Sequence, residues 1–337
     1  MSRNAAVRCA AGLRRVLVAS LAVAAALVAS SRGLDLNAAE TLARAASFFD
    51  VMAAQAALEA KGFSPGLVDG LDGPKTALAT RAFQSSCGLE MTGRLDEATA
   101  AALEVGAAPA VLEYAVLPDD ERQVSYCPPD WNEKSRRRKL LYLTLSSCIA
   151  EKFHTSERCL ASLNPQADLA ALKAGDVLRV PCVRERKSPT SIESMEIDLS
   201  RKLVLLLDGA KKVTGLLHCS VAKDLSRVER GEAKVSTVVK DPEYTFDPQK
   251  WPEVKNVKKR LLIPAGPRCP VGVRWIGLDR SGVGVHGTAE PENIGKTGSH
   301  GCFRLTNWDA VYLASRAYEG LPVRIVDSSP LAASLDG

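Results

Sequence analysis

Hydrophobic and polar positions change their period three times along the chain. An uninterrupted apolar run, Val16 to Ala29, follows Arg14-Arg15. From about Asn37 the apolar positions recur with helical spacing, so Ala38 to Lys61 reads as one or two amphipathic helices ending at Gly62. Ser64-Pro65-Gly66 and Asp69-Gly70-Leu71-Asp72-Gly73-Pro74 then form a turn-rich loop. Lys75 to Ser86, with Ala79, Ala82 and Phe83 on one side, predicts a second helix, and Asp96 to Leu103, after Thr92-Gly93, a third. Gly106 to Pro109 is a linker. Beyond it Tyr114-x-Val116 reads as a strand, followed by a polar insertion through Pro128-Pro129 and Arg136-Arg137-Arg138-Lys139. Helix, turn, helix and strand follow, through Ile149 to His154, Leu160, Leu163-Asn164-Pro165 and Ala174-Gly175-Asp176-x-Leu178-x-Val180-Pro181. Arg184 to Pro189 is a charged linker. From Met195 the period shortens to that of strands: Glu196 to Leu199, Lys202 to Leu207, a hairpin turn at Asp208-Gly209 and a return over Val213 to Val221. Asp309 to Glu319 reads as a helix, Leu321 to Val326 as a closing strand, and the residues from Ser328 as a loose tail. The pattern predicts a multidomain α+β chain: a small three-helix bundle over 38–106, a compact α/β module with an insertion over 111–183, and a mainly β sandwich over 194–327, with a tail over 328–337.

Composition changes this picture in three places. A length of 337 residues suits two or three domains, and 46% hydrophobic residues suffice for their cores. The net charge of +5 hints at anionic partners, but Arg3, Arg8, Arg14 and Arg15 all precede the first acidic residue, Asp35; without them 40 basic residues face 39 acidic ones. Nucleic acid is therefore not an expected partner. Basic region, apolar run and the small residues Val28-Ala29-Ser30 together read as a signal peptide over 1–31, which implies export. An uncleaved anchor is the competing reading, disfavoured because a spanning helix needs about 20 apolar residues.

Nine cysteines in an exported chain raise the question of pairing. Cys127, Cys148, Cys159 and Cys182 fall in one region that they could staple, and Cys219 with Cys269 could bridge the β-rich part, although spacing leaves connectivity open. No Cys-x-x-Cys spacing exists, so a structural zinc site is not expected.

The densest chemistry lies in His286-Gly287-Thr288 and Ser299-His300-Gly301-Cys302-Phe303-Arg304-Leu305, where two of the four histidines crowd one glycine-flanked cysteine. A cysteine attacks as thiolate and needs a base or backbone dipoles to lower its pKa from about 8.5. Gly301 lets backbone approach a substrate closely, so the N–H groups of His300, Gly301 and Cys302 are candidates for an oxyanion site. His300 adjoins the Gly-Cys step and can point away from the sulfur; His286 arrives from a separate segment and is assigned as the base. An isolated cysteine is more often an inert core residue; His154, at a helix end, reads as a packing or capping residue and His218, within a strand run, as a core or edge residue.

These residues resemble the signature of the L,D-transpeptidase (YkuD-type) catalytic domain, together with Pro264-x-Gly266-Pro267, Pro270-Val271-Gly272 and Leu305-Thr306-Asn307-Trp308-Asp309-Ala310. The segment Pro-Thr-Pro-x-Gly, common in the family, is absent. The resemblance implies a peptidoglycan transferase in which Cys302 is the nucleophile, His286 moves the proton, the Gly287 carbonyl orients His286, and Ser299 and His300 form the surrounding shell. It further implies attack on a tetrapeptide stem, loss of the terminal D-Ala, and a 3→3 cross-link made by a second stem's amine, with Arg304 and Thr288 on the substrate side. Gly62-Phe63, Val68-Asp69-Gly70, Ala82-Phe83-Gln84, Gly88-Leu89, Thr92-Gly93, Asp96 and Thr99 are similar to a peptidoglycan-binding domain, and residues 111–183 resemble a LysM module, a glycan-binding fold. Stem peptides and glycan strands are the implied partners, periplasm or cell wall the implied location, and no metal or organic cofactor is implied. Water in place of the amine would make the same site an L,D-carboxypeptidase, and a degenerate site would leave a wall-binding protein.

Overall fold

A computed structural model describes residues 36–186, 191–251, 254–299 and 301–335. The expected leader and His300 therefore lie outside the described residues. Helix α1 spans Leu36–Ala60, α2 Pro74–Cys87 and α3 Glu97–Ala102. Pro74 opens α2, where its missing N–H costs nothing, and Gly88 closes it at φ +71°. Asp96 caps α3 by accepting from the Thr99 N–H. The loop between α1 and α2 is pinned by buried Gln55, whose side-chain oxygen accepts from Asp69 N (2.9 Å) and Gly70 N (2.8 Å). Among the described residues no helix is long and apolar enough to cross a membrane.

The middle segment is a two-stranded ribbon with helices between its strands. β1 (Val111–Ala115) pairs antiparallel with β2 (Val177–Pro181); α4 (Pro118–Glu121), α5 (Trp131–Ser135), α6 (Leu145–Lys152) and α7 (Glu157–Leu163) lie between them. The polar insertion is not loose. Trp131 of α5 stacks on Phe246 with ring centroids 4.3 Å apart, leaving Arg136 to Lys139 exposed.

The C-terminal part contributes β3 (Ser194–Asp198), β4 (Leu203–Leu207), β5 (Val213–His218), β6 (Gly231–Lys240), β7 (Tyr244–Phe246), β8 (Leu261–Ile263), β9 (Arg274–Leu278), β10 (Gly284–His286) and β11 (Phe303–Arg304). Helix α8 (Asn307–Ala314), β12 (Pro322–Val326) and α9 (Pro330–Ala333) complete it. One eight-stranded sheet runs β11-β10-β9-β6-β12-β3-β4-β5, with β7 and β8 paired apart from it.

The expected mainly β domain takes the form of one sheet curled on itself, since Ser220, just past β5, bridges to Arg304 of β11 at the opposite edge. Leu203-Val204-Leu205-Leu206-Leu207 is buried at every position because both faces of β4 are covered. Val204 and Leu206 pack with the sheet's own core, whereas Leu203, Leu205 and Leu207 pack with Leu58, Phe63 and Phe83 of the helical segment. Helices thus cover the outer face of β4, while its inner face packs against the far strands of the same sheet, Ile276, Val285 and Phe303 among them. The closing residues also differ from a loose tail, since Ala332 and Leu335 are buried in that same helix-facing cluster.

Buried charge joins the segments. Arg186 contacts Glu59 and, at 2.7 Å, Asp309; His154 Nδ1 lies 2.7 Å from Glu59, and the Ser64 hydroxyl donates to Asp309 at 2.9 Å. The His154 ring lies flat on Trp308, 5.0 Å between centroids. Burial pushes the Glu59 carboxyl up, but Arg186 and His154 outweigh it and hold the pKa at about 2.

Candidate active site

Strand alternation sets the site. β10 and β11 run parallel with Val285 opposite Phe303 and His286 opposite Arg304. Val285 and Phe303 are fully buried in the core, so His286 and Arg304 share the other face, where the chain leading into β11 brings Cys302. The Cys302 thiol donates to the Gly282 carbonyl at 3.4 Å. Ser281 and Val283, on either side of that carbonyl, line with Gly301 a cavity of about 510 Å³ that also carries Arg280, Glu232 and Asp279. That volume lies within the range of small-molecule sites, roughly 300–1,000 Å³.

His286 is buried and stacks on Trp275 at 5.7 Å. Its Nδ1 lies 2.8 Å from the Gly287 carbonyl oxygen. A carbonyl only accepts, so Nδ1 carries the proton and Nε2 keeps a lone pair. Burial lowers the His286 pKa to about 4, aided by the Arg304 charge and opposed by the Gly287 carbonyl. The ring is neutral at physiological pH.

The turn before Cys302 is held by Ser299, whose hydroxyl accepts from the Gly301 N–H at 3.2 Å and donates to the Cys302 carbonyl. The Gly301 N–H, one of the candidate oxyanion donors, is thus engaged by Ser299. Gly301 itself sits at φ +152°, a conformation side-chain-bearing residues resist. Arg304 supports the same turn: its Nη2 donates to the carbonyls of Thr297 (3.0 Å) and Gly298 (2.6 Å). Thr288 is turned inward, its hydroxyl accepting from Glu290 N at 3.3 Å.

Cys87, Cys127, Cys148, Cys159, Cys219 and Cys269 form no disulfide. Cys159 and Cys269 instead direct their thiols at the carbonyls of Asp69 (3.7 Å) and Pro242 (3.5 Å). Burial pushes the Cys148 thiol up to about 12 and Cys269 up to about 11, and raises Cys159 and Cys219 as well, so these four are poor nucleophiles. Among the described residues no cluster of His, Cys, Asp or Glu is placed to hold a metal.

The sequence pattern did not single out Asn307, although it lay in the matching run. Its Oδ1 accepts from Val273 N at 3.2 Å, and a Cβ on either Gly272 or Gly287 would come within 2.2 Å of that oxygen. Two glycines are thus required for one asparagine to lie behind the His286-Gly287 peptide.

With this geometry in place, the comparisons define the class. Residues 193–325 match the L,D-transpeptidase catalytic domain (YkuD), and residues 50–103 match a peptidoglycan binding domain. A Bacillus subtilis protein named as the L,D-transpeptidase YqjB is 30% identical over 135 residues, 39% of this chain and 68% of that one. One from Bacillus licheniformis, named as the L,D-transpeptidase YkuD, is 29% identical over 183 residues, 54% of this chain and 93% of that one. The crystal structure of the L,D-transpeptidase from Xylanimonas cellulosilytica shares 18% identity, covering 82% of this chain and 92% of that one at a TM-score of 0.33, too slight a likeness to argue from. The chain belongs to the L,D-transpeptidase family.

Proposed function

We propose that this chain forms 3→3 peptidoglycan cross-links through a thioester on Cys302. The observation that carries the reading is the thiol of Cys302 against Gly282, in the turn that walls the cavity beside Gly301. His286 Nε2 takes the thiol proton, and Sγ attacks the carbonyl of the donor stem's third residue. The same proton passes to the departing nitrogen of D-Ala, so that the amide breaks as the thioester forms. The amine of a second stem then attacks the thioester carbonyl, gives its proton to His286 and releases the thiolate. Ser299 and Arg304 keep the turn that presents Sγ from relaxing, and Gly287 fixes the imidazole.

The helical segment and the LysM-like segment serve this chemistry by holding the enzyme on stem peptides and glycan strands outside the cytoplasm. Incubating the mature protein with a tetrapeptide-stem muropeptide tests the reading, with intact mass and product chromatography as readouts and Cys302→Ala beside it. An acyl adduct and dimeric muropeptide, both lost in the variant, are expected. Tripeptide as the sole product would move the activity to an L,D-carboxypeptidase, and neither adduct nor turnover would leave a wall-binding protein.

A further inference from the structure

The α6 helix of the middle segment ends beside the active site. Glu151, on α6, accepts from Asn307 Nδ2 at 3.0 Å and 3.1 Å through its two oxygens, and from the Tyr142 hydroxyl at 2.6 Å. Asn307 in turn is wedged against Gly287, whose carbonyl sets the tautomer of His286. The contacts therefore run without a gap from a residue far outside the catalytic domain to the proposed base. A cavity of about 90 Å³ lies over this junction, lined by Tyr142, Glu151, Thr155, Arg268 and Ala289.

We infer that Glu151 is a positioning residue for catalysis: through Asn307 it fixes the His286-Gly287 peptide, so the middle segment completes the active site as well as accompanying it. Physical chemistry favours this over an incidental contact. Burial pushes the Glu151 carboxyl up to about 7 against the opposing hydrogen bonds of Tyr142 and Asn307. A helix that only had to pack here would do so at lower cost with an apolar residue. The Asn307 amide is anchored on both sides, to Val273 N by its oxygen and to Glu151 and the Pro267 carbonyl (3.2 Å) by its nitrogen. Without Glu151 the amide keeps Pro267 as its one remaining acceptor, and rotation of Asn307 would free the Gly287 peptide that holds Nδ1 of His286.

This inference rests on the roles given above to Cys302 and His286, and its test separates the two. In the full chain, kcat and KM for the tetrapeptide muropeptide and the rate of iodoacetamide alkylation at the Cys302 peptide are measured for Glu151→Ala, Glu151→Gln, Asn307→Ala and the double alanine variant, with thermal unfolding as the check on folding. Misplacing a reacting group by about 1 Å costs about a hundredfold. Glu151→Ala is expected to lower kcat about ten- to a hundredfold with KM within about twofold. Glu151→Gln, which keeps an acceptor for both Tyr142 and Asn307, is expected to restore most of the rate. The double variant should be no slower than the slower single one, because both changes break one chain of contacts. Wild-type kcat in Glu151→Ala, multiplying effects in the double variant, or no rescue by glutamine in a folded protein would each overturn the inference. If Cys302→Ala itself stays active, the functional reading fails first.

Discussion

His286 enters the proposed reaction already neutral, and this sets the pH dependence. Its pKa is lowered to about 4 from an ordinary 6.5 by burial, so lowering the pH from 7 to 5 leaves the base able to accept a proton. The rate kcat/KM is expected to hold across that interval and to fall only as the pH nears about 4. A profile of kcat/KM against pH checks this, and a limb centred near 6.5 would mean that another group limits the rate. The sequence marks His286 as a candidate base, but its ionisation is not legible there. His286-Gly287 and Cys302 announce themselves by type and spacing, whereas the pKa depends on Trp275 over the ring and Arg304 across the strand.

At the scale of elements, the two short strands β10 and β11 carry the site, and their geometry depends on the start of α8. A methyl group on Gly287 would meet Asn307 Oδ1 at 2.2 Å and the asparagine's Cα at 3.3 Å. Gly287→Ala is therefore expected to cost about 1–3 kcal/mol of stability, as overpacking does. It should also slow catalysis disproportionately, because the carbonyl that moves is the one holding His286. Chemical denaturation beside steady-state kinetics reads both effects, and an alanine variant with unchanged kcat would separate this carbonyl from the reaction.

The elements themselves were largely legible. Leu203 to Leu207 as a strand, Asp208-Gly209 as its turn, Asp96 before the third short helix and the helix after the cysteine motif all follow from period and capping. The curling of the sheet did not, because a five-residue apolar run says that both faces of β4 are covered without saying by what. Nor did the Glu151–Asn307 contact, which joins positions 156 residues apart and has no local signal.

Within the unit Phe49–Gly337 a buried ion network ties together segments none of which contains it whole. Arg186 is buried between Glu59 and Asp309 and stands 4.8 Å from the Tyr312 ring. Removing one member of such a network leaves an uncompensated charge, so Arg186→Ala is expected to cost about 3–5 kcal/mol, read as a shift in the denaturation midpoint. The network also shapes acid stability. His218 and His286 have lowered pKa values, about 3 and about 4, so the unfolded chain binds more protons below 6.5 and stability declines as the pH falls. Glu151, raised to about 7, acts in the opposite sense until about 4.5. Below that point Glu59, whose contribution is full above 4.5 and lost as the pH falls through about 2, adds to His218. Unfolding free energy is expected to change gently between pH 6.5 and 4.5 and steeply below. Urea titrations at stepped pH check this, with Glu59→Gln flattening the lower range.

The position of Arg186 also bears on how the enzyme's inhibitors are sought. A minimal fragment begun at residue 193, where the catalytic match starts, would omit this arginine and leave Asp309 buried without its counter-ion, one residue from the Trp308 that His154 covers in the long chain. Such a fragment would also lack Glu151. If Glu151 has the role inferred above, compounds ranked against such a fragment are expected to change order against the intact chain.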